Sequence, residues 1–207
     1  MAGVFIVFEG GEGSGKSTQL ALLAARLRES GHEVVVTREP GGSPRAEHIR
    51  EILLDRGSAG MDPRCEALLF AAARADHAAE VIRPALQRGA VVISDRYLDS
   101  SVAYQGLARG LGEDRIRSLS RWATQDLVPD LTLVLDIDPR HGVARAQDAN
   151  RLEAESMDFH DAVRAAFLGF AARESGSYSV IDADRPVAEV AADVADRVGQ
   201  LIPGVTA

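Results

Sequence analysis

The chain has 207 residues, 46 % of them hydrophobic, which suits one soluble domain. Its formal net charge of −8 disfavours a nucleic-acid polymer as partner, since an acidic surface repels phosphates. Cys65 is the single cysteine, so an intrachain disulfide is excluded, a cytoplasmic location is expected, and Cys65 is predicted to lie in the core. No apolar run approaches the ~18 residues of a membrane span and no basic leader is present, so we expect neither membrane insertion nor export.

The first predicted strand and helix flank a glycine-rich loop. Residues 4–8 form a short, nearly continuous apolar run with β-branched and aromatic side chains, which is typical of a buried parallel strand. Residues 17–30 then place leucine and alanine at helical spacing, and Gly31 is a usual helix-ending residue. The order strand, loop and helix is the context in which a phosphate-binding loop occurs.

The rest of the chain alternates between strand and helix patterns. Strands are predicted over 33–37, 90–94, 131–137 and 178–181. Helices are predicted over 44–54, 63–88 and 187–201, and Pro84 is expected to kink the helix over 63–88. Further helical segments separate the third and fourth strands. This alternation predicts one α/β domain of three layers, with a five-stranded parallel sheet, helices on both faces and ligands at the carboxyl ends of the strands.

Residues 10–17 read Gly-Gly-Glu-Gly-Ser-Gly-Lys-Ser, a complete phosphate-binding loop. Lys16 is the only lysine among 23 basic residues, the others being arginine. Its compact ammonium can reach phosphate oxygens at a place where the planar guanidinium of arginine fits less easily. Backbone N–H groups and the helix N-terminus favour anions here, and the Ser17 hydroxyl is expected on Mg²⁺. The nucleotide-binding residues are predicted to be Gly10, Gly11, Glu12, Gly13, Ser14, Gly15, Lys16, Ser17 and Thr18.

The loop indicates phosphoryl transfer without identifying the acceptor. A GTPase would carry an Asn-Lys-x-Asp guanine reader, but the only asparagine, Asn150, is followed by Arg151. An ATP-driven transport module would carry a Leu-Ser-Gly-Gly-Gln signature, and the sequence has none. A small ATP-dependent kinase remains. Asp95 and Arg96 support it, because at a strand end a carboxylate can hold the metal's water shell and an arginine can bind phosphate.

Four motifs follow one another along the chain. They are Phe8-Glu9-Gly10, Thr-Arg-Glu-Pro-Gly-Gly at 37–42, Leu-Phe-Ala-Ala-Ala-Arg-Ala-Asp-His at 69–77, and Asp-Arg-Tyr-Leu-Asp-Ser-Ser-Val-Ala-Tyr-Gln-Gly at 95–106. With them the chain resembles the bacterial thymidylate kinase family over most of its length. The resemblance implies a P-loop nucleoside monophosphate kinase-like fold, transfer of the ATP γ-phosphoryl group to dTMP with Mg²⁺ as cofactor, and a homodimer.

The resemblance also implies a dTMP site. Phe70 would stack on the thymine ring and Arg74 would bond the O4 edge of the base, while Arg38 and Arg96 would hold the 5′-phosphate. Tyr104 would crowd the sugar 2′ position and so favour deoxyribose. The expected dTMP-binding residues are Glu9, Arg38, Phe70, Arg74, Arg96, Ser101, Tyr104 and Gln105, and the expected metal ligands are Ser17 and Asp95.

With an acidic residue, Glu12, in its phosphate loop, the chain resembles the subgroup of the family whose catalytic arginine comes from a mobile lid. The lid is expected at about 140–155, although this stretch is a few residues shorter than related lids and its arginines are more widely spaced. Arg151 is the first candidate for the catalytic arginine and Arg145 the second. The predicted catalytic set is therefore Lys16, Arg96, Arg151 and Glu12.

Two alternatives stay open at this point. A kinase for another nucleoside or its monophosphate would share the same loop and differ in its base pocket. A non-catalytic ATP-binding switch would also carry the loop, but it needs no second phosphate site and so would have no use for the acceptor-side arginines Arg38, Arg74 and Arg96.

Overall fold

Five parallel strands form one sheet in the part of the chain that the computed structural model describes, residues 3–145 and 155–205. The strands lie in the order β2-β3-β1-β4-β5, with bounds β1 Val4–Gly10, β2 Val34–Arg38, β3 Val91–Asp95, β4 Leu131–Asp136 and β5 Tyr178–Asp182. The predicted five-stranded parallel sheet is confirmed. Its predicted strand bounds differ from the observed ones by at most two residues.

The register of the sheet brings the ends of the first three strands together. Phe8 of β1 lies opposite Asp95 of β3, and Asp95 lies opposite Arg38 of β2. The residues that follow these positions therefore emerge at one edge, where the glycine-rich loop also begins. This is the edge at which parallel α/β sheets bind ligands.

Helices connect the strands. Their bounds are α1 Lys16–Glu29, α2 Pro44–Leu54, α3 Pro63–His77, α4 Arg83–Gln87, α5 Leu98–Ser101, α6 Glu113–Thr124, α7 Pro139–Arg145, α8 Met157–Arg173 and α9 Val187–Gly199. A 3₁₀ turn at Arg56–Ser58 and π-helical segments at Ala78–Ile82 and Val102–Ala108 complete the helical structure of the described residues. Among the described helices, none has the length and apolarity needed to cross a bilayer.

Alternate side chains of β1 enter two separate hydrophobic cores. Phe5 and Val7 pack in a cluster that includes Phe167 and Phe170 of α8, whereas Ile6 and Phe8 pack in a cluster with apolar residues of α1 and α9. Successive strand residues point to opposite faces, so helices cover both sides of the sheet. Each fully buried side chain of this size stabilises the fold by about 1.5–3 kcal/mol.

The predicted kink at Pro84 takes the form of a π-helical segment. The helical stretch predicted over 63–88 is continuous, but Ala78–Ile82 is π-helical and ends two residues before Pro84. Proline has no N–H to donate, and its ring clashes with the carbonyl four residues earlier in a regular α-helix. A wider turn before the proline relieves that clash.

Cys65 is exposed, so the prediction that it lies in the core was wrong. It stands in the first turn of α3, where Asp62 caps the helix by accepting a hydrogen bond from the Arg64 N–H. The buried face of this turn is made by Glu66 and Ala67 instead. A single residue near a helix end has no periodic context that would reveal its face.

Candidate active site

A cavity of about 470 Å³ opens at the carboxyl ends of β1, β2 and β3. Among the residues that line it are those predicted for the nucleotide, the acceptor and the metal: Glu12, Gly13, Ser14, Gly15, Lys16, Ser17, Thr18, Arg38, Phe70, Arg74, Asp95, Arg96, Ser101, Tyr104 and Gln105. The fold thus brings together residues from widely separated parts of the chain. Glu9, Gly10 and Gly11, which were also predicted, do not line the cavity.

The loop is folded around the Lys16 ammonium. Its Nζ donates hydrogen bonds to the carbonyl oxygens of Gly11 at 2.7 Å and Gly10 at 3.2 Å, and to Ser14 Oγ at 3.3 Å. Burial lowers the pKa of Lys16, and the neighbouring Arg96 charge lowers it further. Gly15 caps α1 with φ of 84°, a conformation that glycine adopts without strain. A positive charge and a helix N-terminus therefore face the same part of the cavity.

Ser17 and Asp95 place two oxygen ligands side by side. Ser17 Oγ lies 3.3 Å from Asp95 Oδ2, although the two residues are 78 positions apart in sequence. Hydroxyl and carboxylate oxygens are hard ligands, and Mg²⁺ usually takes only one or two carboxylates from a protein together with substrate phosphates and water. The residues present therefore fit the predicted magnesium ion.

Arg96 crosses from the end of β3 to the loop. Its guanidinium donates to the Gly10 carbonyl at 3.0 Å and to Glu12 Oε1 at 2.6 Å, and it lies over the ring of Tyr104. Tyr104 Oη also donates to Glu12 at 3.1 Å. Burial tends to raise the pKa of Glu12, but the charges of Arg96 and Lys16 outweigh it and lower that pKa. Glu12 is thus an anion that fixes Arg96 beside the loop.

Glu9, one of the expected dTMP-binding residues, lies at the carboxyl end of β1. Its carboxylate is fully buried, does not line the cavity, and accepts hydrogen bonds from the N–H groups of Tyr97 and Ser100 and from Ser100 Oγ. These bonds brace the turn in which Arg96 adopts a left-handed φ of 70°. Such a conformation costs a non-glycine residue about 1 kcal/mol or more, so its surroundings must hold it. Glu9 therefore helps to position Arg96 through the turn that it stabilises.

The burial of Glu9 predicts a pH-dependent stability. Burial raises the pKa of Glu9 from 4.5 to about 7. The folded protein then keeps a proton that the unfolded chain has lost, so the free energy of unfolding should fall by up to about 3 kcal/mol as pH rises between these values. Urea denaturation of the native chain and of Glu9→Gln across this range measures it, since the variant lacks the titrating group. Parallel pH profiles would show that the three hydrogen bonds fully compensate the buried charge.

The acceptor side of the cavity contains a buried arginine. Arg74 is only 2 % exposed, and it donates to Glu39 Oε2 at 2.7 Å, to the hydroxyls of Ser120 and Ser101, and to the Tyr97 carbonyl. These bonds engage four of the five N–H donors of its guanidinium. Arg74 also lines the cavity, and one Nη1 N–H is not used in these four bonds.

Two further residues belong to the predicted base pocket, Phe70 and Gln105. Phe70 packs against the buried Leu53 and lines the cavity. Gln105 donates its side-chain N–H to Glu66 at 2.8 Å, which fixes the amide and orients its carbonyl oxygen. An aromatic face beside oriented polar groups is the arrangement that can hold a base by stacking and select it by its edge.

Arg50 is a site residue that the sequence analysis missed. It lines the cavity, donates to the Pro40 carbonyl at 2.6 Å, and has its pKa lowered by burial and by the nearby Arg38. Glu47, one turn earlier on α2, accepts from Arg38 and from the Gly42 N–H. Helical spacing places Glu47 and Arg50 on one face, which is the signal that could have found them.

Arg145 also lines the cavity, from the end of α7, and donates to Asp184 at 2.6 Å. Arg151, the first sequence candidate for the catalytic arginine, lies outside the described residues, as does the expected lid from 146 to 154. Five arginines of the described chain therefore face the cavity: Arg38, Arg50, Arg74, Arg96 and Arg145.

Comparison with known proteins places this site in a family context. The family model for thymidylate kinase matches residues 8–194. The thymidylate kinase of Clavibacter sepedonicus is 56 % identical over 206 residues, which cover 98 % of this chain and 97 % of the relative. That of Pseudomonas fluorescens (strain SBW25) is 56 % identical over 193 residues, 92 % of each chain. The crystal structure of thymidylate kinase from Ehrlichia chaffeensis is similar with a TM-score of 0.81 and 33 % identity, covering 96 % of this chain and all of that one.

Proposed function

The chain belongs to the thymidylate kinase family and transfers the γ-phosphoryl group of ATP to dTMP, and we propose that the cavity at the strand ends is its active site. One observation carries the proposal. Residues 12–18 of the phosphate loop and a separate set of arginines line the same cavity, so it suits two phosphorylated ligands at once. This arrangement favours a kinase over a nucleotide-dependent switch.

On the donor side, backbone N–H groups of the loop would hold the ATP phosphates while Lys16 neutralises their charge. Ser17 and Asp95 would hold Mg²⁺, which when bound neutralises charge on the transferring phosphates. On the acceptor side, Arg38, Arg50 and Arg96 would hold the 5′-phosphate of dTMP. Their positions fix the direction from which its oxygen attacks.

The thymine ring would stack on Phe70, with Arg74, Ser101 and Gln105 at its polar edge and Tyr104 beside the sugar. The nucleophile is already an anionic phosphate oxygen, so the reaction needs no strong general base. The residues of the site act by positioning both substrates and by stabilising charge in the transition state. Glu12 contributes by holding Arg96 against the loop at 2.6 Å.

We propose that residues 1–207 act as one kinase domain with a lid at about 140–155. Of the two lid arginines predicted from sequence, Arg145 supports the proposal from the described residues, because it lines the cavity. Arg151 remains the other candidate. A lid arginine that reaches the transferring group would add charge stabilisation and help to exclude water.

A panel of acceptors tests the proposed substrate assignment. ADP release is followed with dTMP, dUMP, dCMP, dGMP and dAMP under matched conditions, together with the corresponding nucleosides. We expect the highest kcat/KM with dTMP, because the pocket combines a stacking face with edge donors. A clear preference for a purine, cytosine or nucleoside acceptor would favour the alternative kinase, and ATP binding without any acceptor phosphorylation would favour the switch.

We also propose a cytoplasmic homodimer, consistent with a single cysteine that has no disulfide partner in the chain. Three large apolar side chains are exposed on α2, α3 and α6: Ile52, Leu68 and Trp122, the last of them 80 % exposed. Helix α3 contacts both of the other helices, so these side chains belong to one helical layer. A second copy of the chain would cover apolar area that water otherwise surrounds.

Replacing Trp122 with glutamate is expected to shift the protein from dimer to monomer, because a charge buried in the interface would be costly. Light scattering after size-exclusion chromatography measures the mass. Leu22→Glu is the matched control, since Leu22 is also exposed but lies on α1, across the sheet. A native chain that is monomeric at micromolar concentration, or a dimer unaffected by Trp122→Glu, would contradict the proposed interface.

A further inference from the structure

Two glycines bring the backbone of α7 directly against the phosphate loop. A Cβ atom on Gly142 would overlap the carbonyl oxygen of Glu12, and a Cβ atom on Gly13 would overlap the carbonyl oxygen of Gly142. Only a residue without a side chain permits this approach at either position. The phosphate-binding motif itself requires glycine at positions 10 and 15 of this chain but not at position 13.

The backbone conformation of Gly142 does not require glycine. Unlike Gly13, whose φ is 64°, it has no positive φ and lies inside a helix, where glycine is about 1 kcal/mol less favourable than alanine. It is also the only buried residue of α7. The close approach to the loop is therefore what the glycine makes possible.

The contact links the loop to an arginine of the cavity. Arg145 lies one helical turn after Gly142 and lines the cavity, while its guanidinium and the His141 ring both contact Asp184. At the other side of the contact, Glu12 touches Gly142 through its backbone and holds Arg96 through its carboxylate. A shift of α7 against the loop would thus change where Arg145 stands relative to Lys16 and Arg96.

We propose that Gly142, through its backbone contact with Glu12 and Gly13, is a positioning residue that sets the place of Arg145 for phosphoryl transfer. The proposal rests on the proposed function in assigning Arg145 to the active site. Gly142 touches no reacting atom. It acts by fixing the distance between a short, otherwise exposed helix and the loop that holds the donor phosphates.

Gly142→Ala tests the proposal. The added methyl group must push α7 away from Glu12, and misplacing a charge by about 1 Å can cost up to 100-fold in rate, so we expect kcat to fall roughly 10-fold or more. Thermal unfolding and dTMP binding by calorimetry should change little, since the two cores do not include α7. Retained dTMP binding shows that the pocket is folded even if α7 has moved.

Gly169→Ala is the matched control, because a Cβ atom there would meet only the end of the Arg173 side chain, 3.9 Å away. Its kcat should stay within about twofold, since a helical alanine adds only a small stabilisation. Combining Gly142→Ala with Arg145→Met then separates positioning from a general structural effect. If Gly142 acts through Arg145, the double variant should be little slower than Arg145→Met alone.

Three kinetic outcomes would overturn the inference: a Gly142→Ala protein with kcat within twofold of the native chain, fully additive losses in the double variant, or an Arg145→Met protein with native kcat. Loss of dTMP binding in Gly142→Ala would also overturn it, because the substitution would then act on the whole pocket. Failure of the proposed function is distinguishable, since it would appear as a native chain that does not phosphorylate dTMP.

Discussion

Replacing Lys16 with alanine is expected to lower kcat by roughly 100-fold or more, with little change in the temperature of unfolding. The Lys16 ammonium is held inside the loop by the carbonyl oxygens of Gly10 and Gly11 and by Ser14 Oγ, where it faces the donor side of the cavity. The charge that develops on the transferring phosphoryl group would lose the cation that the loop holds for it. The cores beneath the loop would remain intact, because they are built from other residues.

Two matched variants decide whether charge or geometry matters at position 16. Lys16→Arg keeps the charge but replaces a compact ammonium with a planar fork, so we expect it to be almost as slow as Lys16→Ala. Arg28→Ala removes one positive charge from the exposed side of the same helix and should leave kcat unchanged. Steady-state kinetics with ATP and dTMP measure all three proteins. A Lys16→Ala protein with near-native kcat would refute the proposed role of the ammonium.

The sequence was sufficient for the sheet and for the phosphate loop because both depend on local patterns. The apolar run at 4–8 and the similar runs that follow it predict buried parallel strands. The carboxyl ends of parallel strands lie at one edge of the sheet, however the connecting helices pack. Asp95 could therefore be expected close to Ser17, and the two oxygens are 3.3 Å apart. The phosphate loop binds through its own backbone N–H groups, so it can be predicted from local sequence without knowledge of the tertiary contacts.

Features that depend on packing between distant elements could not be predicted in this way. Glu9 stands within a motif, yet its carboxylate braces the turn at Arg96, because β1 and β3 are neighbours in the sheet. Arg50 lines the cavity from α2, where it donates to the carbonyl of Pro40 in the segment that follows β2. Gly142 has no sequence signal at all, since its role is a contact between two backbones.

Arg74 combines a proposed ligand contact with a structural one that the sequence did not reveal. Its side chain is buried and ion-paired with Glu39, which is itself buried. His77 and Thr37 extend the same network, with His77 contacting Glu39 at 3.0 Å and Thr37 at 2.6 Å. The base pocket and the interior of the domain therefore share one polar cluster.

Arg74→Met is expected to destabilise the fold by about 3–5 kcal/mol, because removing one partner of a buried ion pair leaves the other uncompensated. Arg38→Met is the matched comparison. Arg38 lines the same cavity, but its side chain is half exposed and pairs with Glu47, so its loss should cost about 1 kcal/mol or less. Arg38→Met should instead raise KM for dTMP. Chemical denaturation and steady-state kinetics on both variants separate the two effects.

The double variant Arg74→Met with Glu39→Gln tests whether the buried charge is the cause. Removing the carboxylate charge together with the guanidinium should recover about 0.5–3 kcal/mol relative to the sum of the single changes, the usual coupling of residues in direct contact. Full recovery is not expected, because Ser101, Ser120 and the Tyr97 carbonyl also lose the donor. If Arg74→Met were no less stable than Arg38→Met, or if the two changes were additive, the ion pair would not be what holds this side of the pocket in place.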